Sequence, residues 1–143
     1  MLVQYDKAKW DYDRWPNFTP KELSCMCKFC RGELYFDEQS FDAIQMLRHL
    51  VERVVFINSG HRCIAHNKLV GGVKQSEHLK MAFDVALAGH VHKNLLKSAV
   101  QAGFTGIGLY STFIHLDLGR KRHWFGGGSA PQIWIPVLNG VNL

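Results

Sequence analysis

From Ser40 to Val51 the apolar residues Phe41, Ile44, Leu47, Leu50 and Val51 recur at helical spacing. This predicts a helix capped by Ser40 with one stripe on the core. A second stripe, Val91, Leu95, Leu96, Ala99 and Val100, predicts a helix from His90 to a stop at Gly103. Thr19-Pro20-Lys21-Glu22 has the form of a capping box with proline at the first helical position, so a short helix starts there. Another runs from Ile64 to Val70, closed by Gly71-Gly72.

Between the helices the period changes to two. Val54-Val55-Phe56-Ile57 reads as a buried strand running into the loop Asn58-Ser59-Gly60. In Ala82–Leu87 the residues Phe83, Val85 and Leu87 face one way and Asp84 the other. Gly106–Tyr110, whose glycines permit close backbone approach, turns at Ser111-Thr112 into Phe113–Leu118, an antiparallel pair. On that second strand His115 and Asp117 share a polar face, opposite Ile114, Leu116 and Leu118. The tail after Gly126, broken by Pro131 and Pro136, is expected to be extended and packed on the domain or on an assembly partner. The fold class is therefore α+β, a small antiparallel sheet flanked by helices. A cysteine-containing segment spans about residues 17–36 and the tail about residues 127–143.

Composition narrows the class. With 143 residues, 47% hydrophobic and 20% charged, the chain is neither disordered nor fibrous and has room for one domain with one core. A net charge of +5 favours an anionic polymer, cell wall and nucleic acid alike. The basic run Arg120-Lys121-Arg122 adjoins His123-Trp124-Phe125; it either lines a cleft or forms a solvated turn whose Trp124 packs on the core. No window approaches the ~20 apolar residues of a membrane span, and Met1–Lys7 lacks the apolar stretch of a secretory signal. Synthesis in the cytoplasm is expected, so any target outside that compartment needs a route of export.

Candidate chemistry lies on the polar positions of the strands. Two imidazoles and one carboxylate, as in His78, Asp84 and His115, leave a tetrahedral zinc a fourth position for solvent. A lone Asp84 among apolar residues costs several kcal/mol without a partner, which zinc, backbone amides or Arg62 could each supply. His90 and His92 read as surface residues. Cys25, Cys27 and Cys30, with the distant Cys63, could hold a structural zinc or an iron–sulfur cluster, stay reduced, or form a disulfide after release.

Several motifs then stand in a telling order: Ser59-Gly60-His61-Arg62, His66-Asn67, Gly71-Gly72, Ser76-Glu77-His78, Ala82-Phe83-Asp84-Val85, and Gly106–Tyr110 running into Phe113–Asp117. The chain resembles, over about residues 17–126, the zinc D-alanyl-D-alanine carboxypeptidases and related phage endolysins that cut peptidoglycan stem peptides. That family is kin in fold to the Hedgehog signalling domain. The resemblance implies that His78, Asp84 and His115 bind one zinc and that Arg62 holds a substrate carboxylate or carbonyl. Ser76, Tyr110 and Trp124 are the further candidates for substrate contact. Peptidoglycan is the implied partner, virion or tail proteins a further one, and no nucleic acid is required.

Two departures bear on catalysis. The spacing from His78 to Asp84 is one residue shorter than the family's, with Lys80-Met81 where a glycine is expected. The acidic general base that many members carry three residues before the last histidine is here Thr112. Asp117 becomes the leading candidate for acid/base work, with His61 and Glu77 as others. Three functions follow: a zinc peptidase of the carboxypeptidase or L-alanyl-D-glutamate endopeptidase type, a non-catalytic zinc module binding cell wall or a virion protein, and a nucleic-acid-binding zinc domain.

Overall fold

A computed structural model of the chain describes all 143 residues. In chain order its elements are β1 (Leu2–Gln4), α1 (Pro20–Leu23), β2 (Glu33–Tyr35), α2 (Glu38–Val51), β3 (Ile57–Ser59), α3 (Ile64–Leu69) and β4 (Ala82–Ala86). Then come α4 (His92–Gln101), β5 (Gly106–Leu109), β6 (Phe113–Asp117), β7 (Arg122–Phe125) and α5 (Ala130–Trp134). Strands β1 and β2 form a small antiparallel ribbon. The other five form one sheet in the order β3-β4-β6-β5-β7, antiparallel except for the parallel pair β5–β7. The predicted α+β class holds, and the parallel edge strand makes the sheet mixed.

Alternation along the central strands sorts the sheet into two faces. Phe83 and Val85 of β4, Ile107 and Leu109 of β5, and Ile114 and Leu116 of β6 enter the core. There they join Phe41, Ile44 and Leu47 of α2 and Leu95, Leu96 and Ala99 of α4, the two stripes that helical spacing predicted. On the opposite face, the β4–β6 register sets Asp84 beside His115, and the β3–β4 register sets Ser59 beside Asp84. Gly108 of β5 also partners His115, and the room its missing Cβ leaves is filled by the Trp124 indole, which packs beside the His115 ring.

The capping box at α1 forms as predicted: Thr19 Oγ1 accepts from the Glu22 amide at 3.3 Å and the Thr19 amide donates to Glu22 Oε1 at 2.7 Å. Such a cap stabilises a helix by about 1 kcal/mol. Helix α2 starts two residues before Ser40, with Asp37 at the N-cap, because Ser40 Oγ donates to Asp37 Oδ2 at 2.5 Å instead of capping the helix itself. Strand β3 begins later than the apolar run and lies at the sheet edge. Phe56 is consequently exposed rather than buried.

The tail departs most from expectation. Ala130–Trp134 is an α-helix and Ile135–Leu138 a 3-10 turn, where an extended segment was expected. Each proline, Pro131 and Pro136, is the second residue of its element, within the first turn, where a missing amide hydrogen costs nothing. Ala130 and Trp134 are fully buried, and Trp134 Nε1 donates to the carbonyl of Tyr110 at 2.8 Å. The tail therefore braces the turn that begins the β5–β6 connection. No helix is long and apolar enough to cross a membrane.

Candidate functional site

His78 lies in a 3-10 turn, Glu77–Leu79, whose start is held by Ser76: its Oγ accepts from the His78 amide at 3.2 Å. The Arg62 amide donates to the His78 carbonyl at 2.7 Å, which stitches this turn to the loop after β3. Only Lys80 and Met81 separate the turn from β4, so the shortened connection is closed by one tight bend at Lys80. The ligand types converge nonetheless. His78 Nε2, Asp84 Oδ1 and His115 Nδ1 lie 3.2 Å from one another in all three pairings.

That triangle matches a metal. Bonds of about 2.0 Å in a tetrahedron put ligand atoms about 3.3 Å apart. The outer nitrogens of both rings are committed elsewhere: His78 Nδ1 donates to the Gly60 carbonyl at 2.6 Å and His115 Nε2 to Asp117 Oδ2 at 2.6 Å. Each ring therefore turns a lone pair toward the carboxylate oxygen, and three acceptors aimed at one point repel unless a cation or protons intervene. Where protons rather than a cation fill the centre, burial works against ionised Asp84, yet hydrogen bonds from His115 and His78 hold its carboxyl down at about 2. Burial likewise opposes the His115 imidazolium, but Asp117 and then Asp84 raise its pKa. The donor set and its spacing suit a divalent cation such as zinc.

The three ligands stand in a cleft of about 710 Å³ whose walls include Arg62, Ser76, Glu77, Tyr110, Arg120 and Trp124. Arg62 donates from Nη2 to Ser76 Oγ at 3.3 Å, while its buried Nε has no protein partner. Burial lowers the Arg62 pKa, opposed by the charge of Asp84. A guanidinium in the cleft wall with Ser76 as its side-chain partner has Nη donors left for an acceptor on a ligand. Across from it Trp124 Nε1 donates to Tyr110 Oη at 3.0 Å, fixing two aromatic walls. Arg120, Arg122 and Trp124 line the cleft, whereas Lys121 and His123 alternate to another pocket on the far side of β7. The functional alternative for the basic-aromatic run is thus the one the fold adopts in part.

Asp117 corrects the expectation of a proton shuttle. It is 1% exposed, does not line the cleft, and sits behind the His115 ring on the edge away from the ligand triangle. Its oxygens are taken by His115, by Arg122 through Nη1 at 2.9 Å and Nη2 at 2.8 Å, and by the Gly119 amide at 2.9 Å. Burial opposes its charge, yet these partners, His115 first, hold the carboxyl well below the usual range. The shared strand face was foreseen; the arginine arriving from β7 was not. His61 is also excluded as a base, with both ring nitrogens occupied by the Lys80 carbonyl and Glu33 and 2% of the residue exposed. Glu77 is the carboxylate of the cleft lining that is not a ligand.

Sequence reasoning missed the Gly60 carbonyl, the Arg122 brace and Phe113, which lines the cleft. Carbonyls leave no mark on residue types, but the glycine at position 60 was a signal: a Cβ there would clash with the backbone of Leu23. Cys25, Cys27, Cys30 and Cys63 gather outside the cleft, at the junction of the N-terminal segment with α3.

Comparison with known proteins adds to this geometry. The chain is 34% identical over 98 residues to the peptidoglycan L,D-endopeptidase MepK of Escherichia coli K12, and equally to that of Shigella flexneri. The aligned part is 62% of this chain and 54% of each relative, so the chain spans about half the length of the curated relatives it matches. Residues 16–117, which contain all three candidate ligands, match the Peptidase M15 family, and the chain belongs to that family of zinc D-alanyl-D-alanine carboxypeptidase-like peptidases.

Proposed function

We propose that this protein is a zinc-dependent peptidase that hydrolyses a bond between an L- and a D-residue in peptidoglycan stem peptides. The observation that carries the proposal is the equilateral set of His78 Nε2, Asp84 Oδ1 and His115 Nδ1, 3.2 Å on each side, in a cleft that Arg62 also lines. That the MepK relatives are L,D-endopeptidases supports this bond class over the carboxypeptidase alternative.

Zinc held by the triad would polarise the scissile carbonyl and lower the pKa of a coordinated water to about 7. The chain supplies the remainder. Arg62, in the cleft wall, binds a substrate carboxylate or carbonyl through its guanidinium and sets the peptide against the ligands. Glu77, adjoining His78 and lining the cleft, takes the proton of the attacking water at a carboxylate oxygen and passes it to the leaving amine. Asp117 keeps the proton on His115 Nε2, so Nδ1 always presents its lone pair. Trp124 and Tyr110 wall the cleft and exclude bulk water from one side.

Thr112, at the position where the resemblance to the carboxypeptidase family implies an acid, favours the second reading, a zinc module that binds cell wall without cutting it. The two part on one experiment. Purified protein is incubated with muropeptides, with and without chelator, and the products are weighed by mass spectrometry. Chelator-sensitive cleavage at an L–D bond, retained zinc in Glu77→Gln and loss of about 100-fold or more of its rate are expected. Zinc-loaded protein that leaves every muropeptide intact overturns the peptidase in favour of the binding module.

A further inference from the structure

The four cysteines make a second constellation that the peptide chemistry does not use. Cys25 follows α1, Cys27 and Cys30 lie in the turn leading to β2, and Cys63 is the N-cap of α3. All four are free thiols whose sulfurs lie within 4.8 Å of one another. Cys27 Sγ is nearly equidistant from Cys63 Sγ, at 3.4 Å, and Cys30 Sγ, at 3.5 Å. A disulfide joins two sulfurs at about 2.0 Å and selects one partner. A tetrahedral zinc with Zn–S bonds of about 2.3 Å gathers four, with edges of about 3.8 Å. The observed cluster has the second form.

The polar surroundings point the same way. The Phe29 amide lies 3.4 Å from Cys27 Sγ, the Glu33 amide 3.4 Å from Cys30 Sγ and the His66 amide 3.3 Å from Cys63 Sγ, each donating to sulfur. His66 Nδ1 lies 3.1 Å from Cys25 Sγ. Every sulfur therefore has an N–H or ring nitrogen in reach, an arrangement that stabilises thiolate charge and adds little for neutral thiols. Backbone geometry serves the cluster too. Arg31 at φ 56° and Gly32 at φ 83° are consecutive left-handed residues that reverse the chain directly after Cys30. A left-handed arginine is unfavourable unless its surroundings hold it there.

We propose that Cys25, Cys27, Cys30 and Cys63 bind one structural zinc ion that pins the N-terminal segment to the start of α3. Thiolate softness and fourfold coordination suit zinc, and a cluster of several irons needs sulfurs spread around a wider core than these. The consequence reaches the cleft. Cys63 follows Arg62 directly, and Gly60, two residues earlier, carries the carbonyl that orients His78. The ion would thus hold from behind the loop that presents Arg62, and closing the long connection from Cys30 to Cys63 constrains the unfolded chain as well.

The test uses the full chain purified under reducing conditions, with zinc measured by mass spectrometry of the metal and thiols by titration with a mercurial. Wild type should carry two zinc ions per chain, and His115→Ala should keep one, freed only as four thiols are titrated. Cobalt substituted into His115→Ala should give intense sulfur-to-metal absorption. Cys27→Ser with Cys30→Ser should lose this ion, and, because that variant could unfold, the His115→Ala measurements decide the matter alone. A His115→Ala protein without metal, an iron–sulfur spectrum, or an intact mass short of four hydrogens from two disulfides overturns the proposal. The outcome is independent of peptidase activity: a chain that keeps the cysteine zinc and cuts nothing sinks only the peptidase.

Discussion

Asp117 does not itself line the cleft, yet its Oδ2 accepts the Nε2 proton of His115 at 2.6 Å while Arg122 grips both of its oxygens. In the proposed zinc site it is a positioning residue, fixing which imidazole nitrogen would face the metal. Asp117→Asn should weaken zinc affinity by about 10- to 100-fold, while saturating zinc restores most of kcat. Competition with a zinc-binding dye reads the affinity. A variant that keeps its zinc and loses kcat outright would return Asp117 to the role of proton shuttle.

Arg62 lines the cleft and donates to Ser76. Arg62→Lys keeps the charge but not the planar fork, so it should lower kcat/KM by about 10- to 100-fold, with zinc content unchanged. Steady-state kinetics on a purified muropeptide measures this. Wild-type kinetics in the lysine variant would remove Arg62 from substrate binding.

Gly106 lies beneath the brace. A Cβ there would collide with the Asp117 carboxylate and the Arg122 guanidinium. Gly106→Ala should therefore destabilise the fold by about 2 kcal/mol in urea melts and weaken zinc binding with it. Unchanged stability would mean that the pair can shift without loss.

Far from the cleft, Arg14 donates to both oxygens of Asp42, and Trp15 Nε1 donates to Oδ1. The Arg14 hydrogen bond holds the Asp42 carboxyl below its ordinary value of 3.8, with Trp15 helping and burial opposing. A carboxyl depressed in the folded state adds stability that is complete above the unfolded pKa and fades as pH falls through the folded one. Asp42→Asn should thus melt below wild type at neutral pH, and the gap should close as pH drops under 3.8. A gap that persists in acid would assign the effect to packing around Trp15. High salt should also narrow it, because the arginine is partly exposed.

Particular residues show how far local patterns reached. The stripes of α2 and α4, the capping box at Thr19 and the β5–β6 hairpin were legible because each depends on neighbours within a few positions. Strand β7 and the helical tail were not. The first pairs in parallel with a strand whose partner on the other side intervenes in sequence, and the second is stabilised by Trp134 burying itself against distant residues. At the site, His78, Asp84 and His115 stood out by residue type and by resemblance. The Arg122–Asp117 contact, which overturned a role assigned to Asp117, had no local mark.

The chain's own order of residues determined which side chains could be ligands, because strand alternation places Asp84 and His115 on polar faces whatever the rest of the fold does. Tertiary structure alone decided what those polar faces meet. Register set Asp84 beside His115, β7 carried Arg122 behind them, and the loop after β3 aimed the Gly60 carbonyl at His78. Hydrogen bonds and metal coordination act over about 2 to 3 Å. Pattern along a chain specifies direction but not distance, and distance is what separates a ligand, a brace and a proton carrier.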